Sequence, residues 1–150
     1  MAHTYSSLLF HLIWSTRERE PMITADFKPR LYAYMETLFE DEGAHVVIMN
    51  GMPDHVHILV HTKPSILLST LVRKVKGASC RWTHQNISEL EHFGWQDGYG
   101  AFSVGYSNKE AVYRYIQNQE EHHRQSTYDA EFTRLLEMQK IQYDPRFVLG

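Results

Sequence analysis

From Ser6 to Tyr106 the apolar residues recur now at strand spacing, now at helical spacing, in the order strand–helix–strand–strand–helix–strand. No other feature of the sequence limits the fold so strongly. Ser6 to Trp14 is rich in aliphatic and aromatic residues and reads as a strand, running out into the charged Arg17-Glu18-Arg19-Glu20. Asp26 is placed to cap a following helix, in which Pro29 is tolerable only within the first turn. Phe27, Leu31, Tyr34/Met35 and Leu38/Phe39 recur at helical spacing, and Gly43 suits the helix end. His45 to Met49 and His55 to His61 form the next two strands, with a turn at Asn50-Gly51-Met52-Pro53. Ser65 then caps a long helix striped by Leu67/Leu68, Leu71/Val72 and Val75, and Asn86 to Gly100 is loop-like. Phe102, Val104 and Tyr106 alternate as a fourth strand. Ser107 and Glu110 have the spacing of a capping box, which opens a helix to about His123. A last helix is expected from Tyr128 to Gln139.

This order is the split βαβ pattern of an α+β, ferredoxin-like sandwich: an antiparallel sheet with helices on one face and an added helix carrying Tyr115. The other face is left for nucleic acid, an active site or a second subunit, and the fold alone does not choose among them. No linker, repeat or low-complexity stretch divides the chain, so residues 1–150 are expected to form one domain. The lone Cys80 excludes an internal disulfide. No window approaches the roughly 20 apolar residues that span a bilayer. Met1 to Tyr5 lacks a charged leader followed by an apolar run, so a cytoplasmic protein is expected. The formal charge of −3 does not by itself suggest a nucleic-acid partner, because phosphate binding usually draws on a basic surface. Its distribution is uneven. Arg73, Lys74, Lys76 and Arg81 gather on one segment, while Glu36 to Glu42 and Glu120/Glu121 are acidic.

Two short segments carry chemistry. In a strand, His55 and His57 point to the same side, with Val56, Ile58 and Val60 on the opposite, buried one. Two convergent imidazoles are half of a metal site. A chain with 10 histidines yields about 0.7 such pairs by chance, so the strand context carries the argument. Two surface-facing or hydrogen-bonded histidines are the alternative. On the capped helix, Tyr115 and Gln119 stand four apart and share a face. That pair alone reads first as a tyrosine at the core edge and an amide facing water.

Together these segments resemble a known family. His-Val-His after Pro53-Asp54, then Trp95-Gln96-x-Gly98-Tyr99, Phe102 to Ser107, and Tyr115-Ile116-x-Asn118-Gln119-x-x-His122-His123 look like the insertion-sequence-encoded, IS200-like, single-tyrosine HUH transposases. REP-associated tyrosine transposases are among that family's relatives. The match runs from the first strand to the tyrosine helix and leaves only the last ~25 residues uncovered. The resemblance implies a DNA transposase in which Tyr115 is the nucleophile and His55, His57 and Gln119 hold a divalent metal. It implies Mg²⁺ or Mn²⁺, since imidazole ligation alone would equally suit zinc, iron or nickel. It further implies a homodimer, single-stranded DNA with hairpins as partner, and a 5′-phosphotyrosine intermediate. Rejoining by exchange of phosphoesters needs no ATP, and the sequence has no Gly-x-x-x-x-Gly-Lys phosphate loop. Trp82, Trp95 and Tyr99, near Arg73, Lys74, Lys76 and Arg81, are candidates to stack unpaired bases. The residues alone leave two other readings: a metal-dependent phosphoesterase using His55 and His57, and a non-enzymatic nucleic-acid-binding module.

Overall fold

β1 (Leu8–Ser15) is the spine of the protein, pairing antiparallel with β3 (His55–Thr62) on one side and β4 (Gly100–Ser103) on the other. β2 (His45–Met52) completes a four-stranded sheet in the order β2-β3-β1-β4. The computed structural model describes residues 3–124 and 126–146. α1 (Lys28–Asp41) and α2 (Leu68–Asn86) cross one face of the sheet, as the ferredoxin-like order requires. Leu12, Trp14, Val56, Ile58 and Val60 point to this side and meet Leu31, Met35, Leu71, Val72 and Val75 in one apolar core.

The opposite face is not open, as the sequence had suggested it would be. α3 (Lys109–Gln117), α4 (Gln119–His123) and α5 (Tyr128–Met138) cover it. Leu9 and Leu59 bury Ile116 of α3, while Ile13 and Phe102 receive Tyr128, Phe132, Leu135 and Leu136 of α5. Burial of these apolar helix faces, rather than propensity, holds such short helices in place.

Several boundaries differ from the expected ones for identifiable reasons. The β2–β3 turn falls at Pro53-Asp54, because Asn50 and Gly51 remain in the sheet opposite His57 and Val56. Gly51 is needed there for closeness: a Cβ would lie 2.1 Å from the His55 carbonyl oxygen. Asp26, Ser65 and Ser107 cap nothing; α1, α2 and α3 begin after Phe27, Leu67 and Asn108 without side-chain caps. Glu110 pairs with Arg114 one turn on instead of closing a capping box. β4 ends at Ser103, short of Tyr106. The tyrosine helix also breaks at Asn118, so Tyr115 and Gln119 stand on separate helices.

Candidate active site

The site lies between the sheet and the covering helices. On β1 the side chains facing α3 and α5 are Leu9, His11, Ile13 and Ser15, and on β3 they are His55, His57 and Leu59, with Ser15 opposite His55 and Ile13 opposite His57. Alternation along the pleat therefore puts three imidazoles where apolar residues would otherwise stand. α3 brings Tyr115 over them and is stopped by Asn50, whose side-chain amide donates to the Ile116 carbonyl at 2.9 Å and the Gln117 carbonyl at 3.1 Å. Lys28 in turn donates to Asn50 Oδ1 at 2.8 Å. The chain turns at Asn118 and restarts as α4, carrying Gln119 inward.

Glu131 of α5 is the centre of the arrangement. Its Oε1 lies 3.0 Å from His57 Nε2, 3.1 Å from His123 Nε2 and 3.4 Å from His55 Nε2. Its Oε2 accepts from the Tyr115 hydroxyl and, at 3.3 Å, from the Gln119 amide. Gln119 Oε1 sits 3.0 Å from His55 Nε2. His55, His57 and Gln119 are each fully buried, and Glu131 is 2% exposed. Tyr115 is half-buried, with the His122 ring 4.6 Å from its own and the His57 ring at 5.7 Å.

Both β3 histidines are held from behind. His55 Nδ1 donates to Asp54 Oδ1 at 2.7 Å, and His57 Nδ1 is 2.8 Å from His11 Nε2. With each δ nitrogen engaged, each ε nitrogen is directed to Glu131, the arrangement that fixes imidazoles as metal ligands. Donor atoms of His55, His57 and Glu131 all lie within 4.8 Å of one another. Two nitrogens and a carboxylate oxygen, with the Gln119 oxygen alongside, make a donor set that fits a divalent cation.

Electrostatics separate the members of this cluster. Burial would lower His55, but its bonds to Asp54 and Glu131 win and raise it to about 9. His57, more completely enclosed, is lowered by burial to about 4 despite Glu131. Burial and the neighbouring His57 lower His11 to about 3. Burial also works against the Glu131 carboxylate, yet the hydrogen bonds of His123, His55 and His57 hold it well below the usual carboxylate range. Tyr115 is pushed up, first by burial and then by the charge of Glu131 beside its hydroxyl. In this arrangement its phenol keeps its proton.

The structure thus brings together His55, His57, Tyr115 and Gln119, all singled out in the sequence, and adds His11, His123 and Glu131. Glu131 was missed, although a signal existed. Tyr128, Phe132 and Leu135 form the buried stripe of α5, and Glu131 stands on that stripe as a charge among apolar neighbours. The candidate DNA-contacting residues do not gather in one place. Arg73, Lys76, Trp95 and Tyr99 line a cavity beside α2. Lys74 pairs with Glu42, and Trp82 is stacked on Tyr34 with Arg30 over its ring. Arg81 is exposed further along α2, near Gly77. Trp95 is mostly core, its indole N–H donating to Ser79.

The family described as "Transposase IS200 like" matches residues 4–119, a span that contains both histidines, Tyr115 and Gln119 and stops short of α5. The ISDra2 transposase TnpA of Deinococcus radiodurans is 27% identical over 117 residues, covering 75% of this chain and 84% of that protein. The transposase for insertion sequence element IS200 of Salmonella typhimurium is 21% identical over 124 residues, covering 79% and 81%. A Deinococcus radiodurans crystal structure, provisionally described as a transposase, superposes with a TM-score of 0.66 at 26% identity, over 79% of this chain and 95% of that one. A REP-associated tyrosine transposase bound to a REP hairpin shares the fold, with a TM-score of 0.62 at 15% identity over 82% of this chain and 73% of that one.

Proposed function

This chain belongs to the IS200-like transposase family, and on that footing we propose that it cuts and rejoins single-stranded DNA beside hairpins through Tyr115. The tyrosine hydroxyl attacks a phosphodiester, forms the Tyr–O–P bond with the 5′ phosphate and releases the 3′ oxygen as a hydroxyl. Reversal by a new 3′ hydroxyl rejoins the strand, and the phosphoester count is conserved without ATP. One observation carries the reading: the Tyr115 hydroxyl and the ε nitrogens of His55 and His57 converge on a single carboxylate, Glu131.

His55 and His57 would hold a divalent cation, Mg²⁺ or Mn²⁺ as in the family, with Gln119 and Glu131 as oxygen donors. When bound, such an ion supplies positive charge to a non-bridging phosphate oxygen and to the developing phenolate. The chain's own residues do the positioning. Asp54 and His11 fix the two imidazoles, Asn50 ends α3, and the His122 ring lies against the nucleophile. Attack requires Glu131 to release the phenol oxygen, since its charge favours the protonated form. One chain alone assembles Tyr115 with both histidines, so the homodimer expected of the family would not be needed to complete the site. No helix among the described residues is long and apolar enough to cross a membrane, and action on chromosomal DNA in a bacterial cytoplasm is part of the proposal.

The test is a denaturing gel of the protein incubated with Mg²⁺ or Mn²⁺ and single strands taken from the DNA flanking its gene. A covalent protein–DNA adduct is expected, absent in Tyr115→Phe and in His57→Ala. Turnover without any adduct would identify a phosphoesterase instead. Metal-independent binding that tolerates Tyr115→Phe, with no cleavage, would identify a binding module.

A further inference from the structure

A second recess, open to solvent, lies on the α2 side of the molecule, with about 420 Å³ between α2 and the segment 95–99. Arg17 and Arg73 stand exposed at its edge, Tyr99 is half-buried in its wall, and Asp97 is its one carboxylate. Lys76 reaches across it, donating to the Gln96 and Gly98 carbonyls at 2.7 Å each. Three cations against one acid give this recess a positive balance that the chain as a whole, at −3, does not have.

Its α2 wall contains Gly77, inside a 19-residue helix. A glycine there costs about 1 kcal/mol relative to alanine, so packing should demand it if nothing else does. Packing does not: a Cβ at Gly77 would meet nothing nearer than the flexible end of Arg81, at 3.4 Å. What the missing side chain preserves is the space of the recess. The recess also connects to the active site through one hydrogen bond and one ring contact. Gln96, in its wall, accepts from the Tyr128 hydroxyl at 2.9 Å, and the Tyr128 ring lies 4.8 Å from that of His55.

We propose that this recess seats one unpaired nucleotide of the DNA strand, its base against Tyr99 and its phosphate between Arg17 and Arg73. The proposal rests on the single-stranded DNA reading above and adds to it where the strand runs beyond the cut. A flat ring can stack any base, and guanidinium groups grip phosphate oxygens in pairs, so the seat is suited to an unpaired nucleotide. Gln96 and Tyr128 connect an occupied recess to the histidine that begins the catalytic cluster.

The experiment uses full-length Tyr115→Phe protein, which binds without cutting, and fluorescent single strands from the DNA flanking the gene. Anisotropy titrations are run with one base at a time replaced by an abasic site. At one position outside the hairpin, loss of the base should weaken binding about tenfold. In Gly77→Gln, whose side chain fills the recess, and in Tyr99→Ala, affinity for the intact strand should fall by a similar factor and that one abasic site should have no further effect. Arg73→Ala should reduce the slope of log affinity against log salt by about 0.7. Gly77→Ala should raise the melting temperature, which separates the need for space from any need of the fold. Unchanged affinity in Gly77→Gln and Tyr99→Ala, alongside a normal adduct from the wild-type chain, would overturn the seat and leave the transposase reading standing. Absence of both adduct and strand binding would overturn the two together.

Discussion

The two faces of the sheet are buried to the same depth and built from opposite materials. Toward α1 and α2, Leu12, Trp14, Val56, Ile58 and Val60 pack into one apolar cluster. Toward α3 and α5, the same two strands present His11, Ser15, His55 and His57, enclosed with Gln119 and Glu131. Removing apolar surface from water stabilises the first face without any geometric demand beyond fit. On the second face Leu9, Ile13 and Leu59 still bury apolar helix faces, but its polar groups gain little from burial, since each must find a partner to offset its desolvation. Every member here does so, and the whole network turns on one carboxylate. One face is held by apolar packing, and the other sets a buried, aligned polar cluster between its apolar contacts.

That division can be broken from either side. His57→Ala should lower adduct formation at least about 10³-fold, as loss of a group acting in a catalytic unit does, while circular dichroism shows a folded chain. Ile58→Ala, one residue along β3 and pointing the other way, should do the reverse. It should cost about 2–5 kcal/mol of stability in urea titration, with adduct formation per folded molecule unchanged. Equal damage to activity from both variants would mean that the faces are not separable. Glu131→Gln keeps the shape of the network and removes its charge. Mn²⁺ affinity measured by calorimetry should fall about 10–100-fold, and an undiminished affinity would remove Glu131 from the ligand set.

An effect of pH follows from the protonation of His55. Without a cation its imidazole, raised to about 9, carries a proton throughout the neutral range, whereas His57, lowered to about 4, does not. A cation can take the His55 ε nitrogen only by expelling that proton. Mn²⁺ affinity should therefore climb about tenfold per pH unit from pH 7 and level off above about 9, with one proton released per ion. Affinity independent of pH across that window would show that His55 is not a ligand.

The same contrast decides how much could be read from the sequence. Residues set by a short repeat were legible: His55 and His57 share a side because strand side chains alternate, and the apolar stripes of α1 and α2 announce their packing. Tyr115 and Gln119 were recognised as a pair, but through a continuous helix that does not exist. Asn50 stops α3 and Asn118 turns the chain, a tertiary contact over 66 residues that no local pattern encodes. Glu131 was illegible for a related reason. It reaches the histidines from a separate helix beyond the break, and only its place on a buried stripe betrays it. His11 is a similar case, a polar residue at an inward position between Leu9 and Ile13. The expected open face of the sheet failed because the helices expected after Ser107 and from Tyr128 fold back over it, a placement that no local pattern encodes.

In the proposed reaction the Tyr115 oxygen is the atom that joins protein to DNA. Mass spectrometry of the trapped adduct, digested with nuclease and then trypsin, locates that bond directly. The prediction is a nucleotide 5′ phosphate on the peptide containing Tyr115 and specifically on that residue, formed only with a divalent cation present. A phosphate on the neighbouring Tyr113 or on Tyr128, or an adduct formed equally well in chelator, would contradict it.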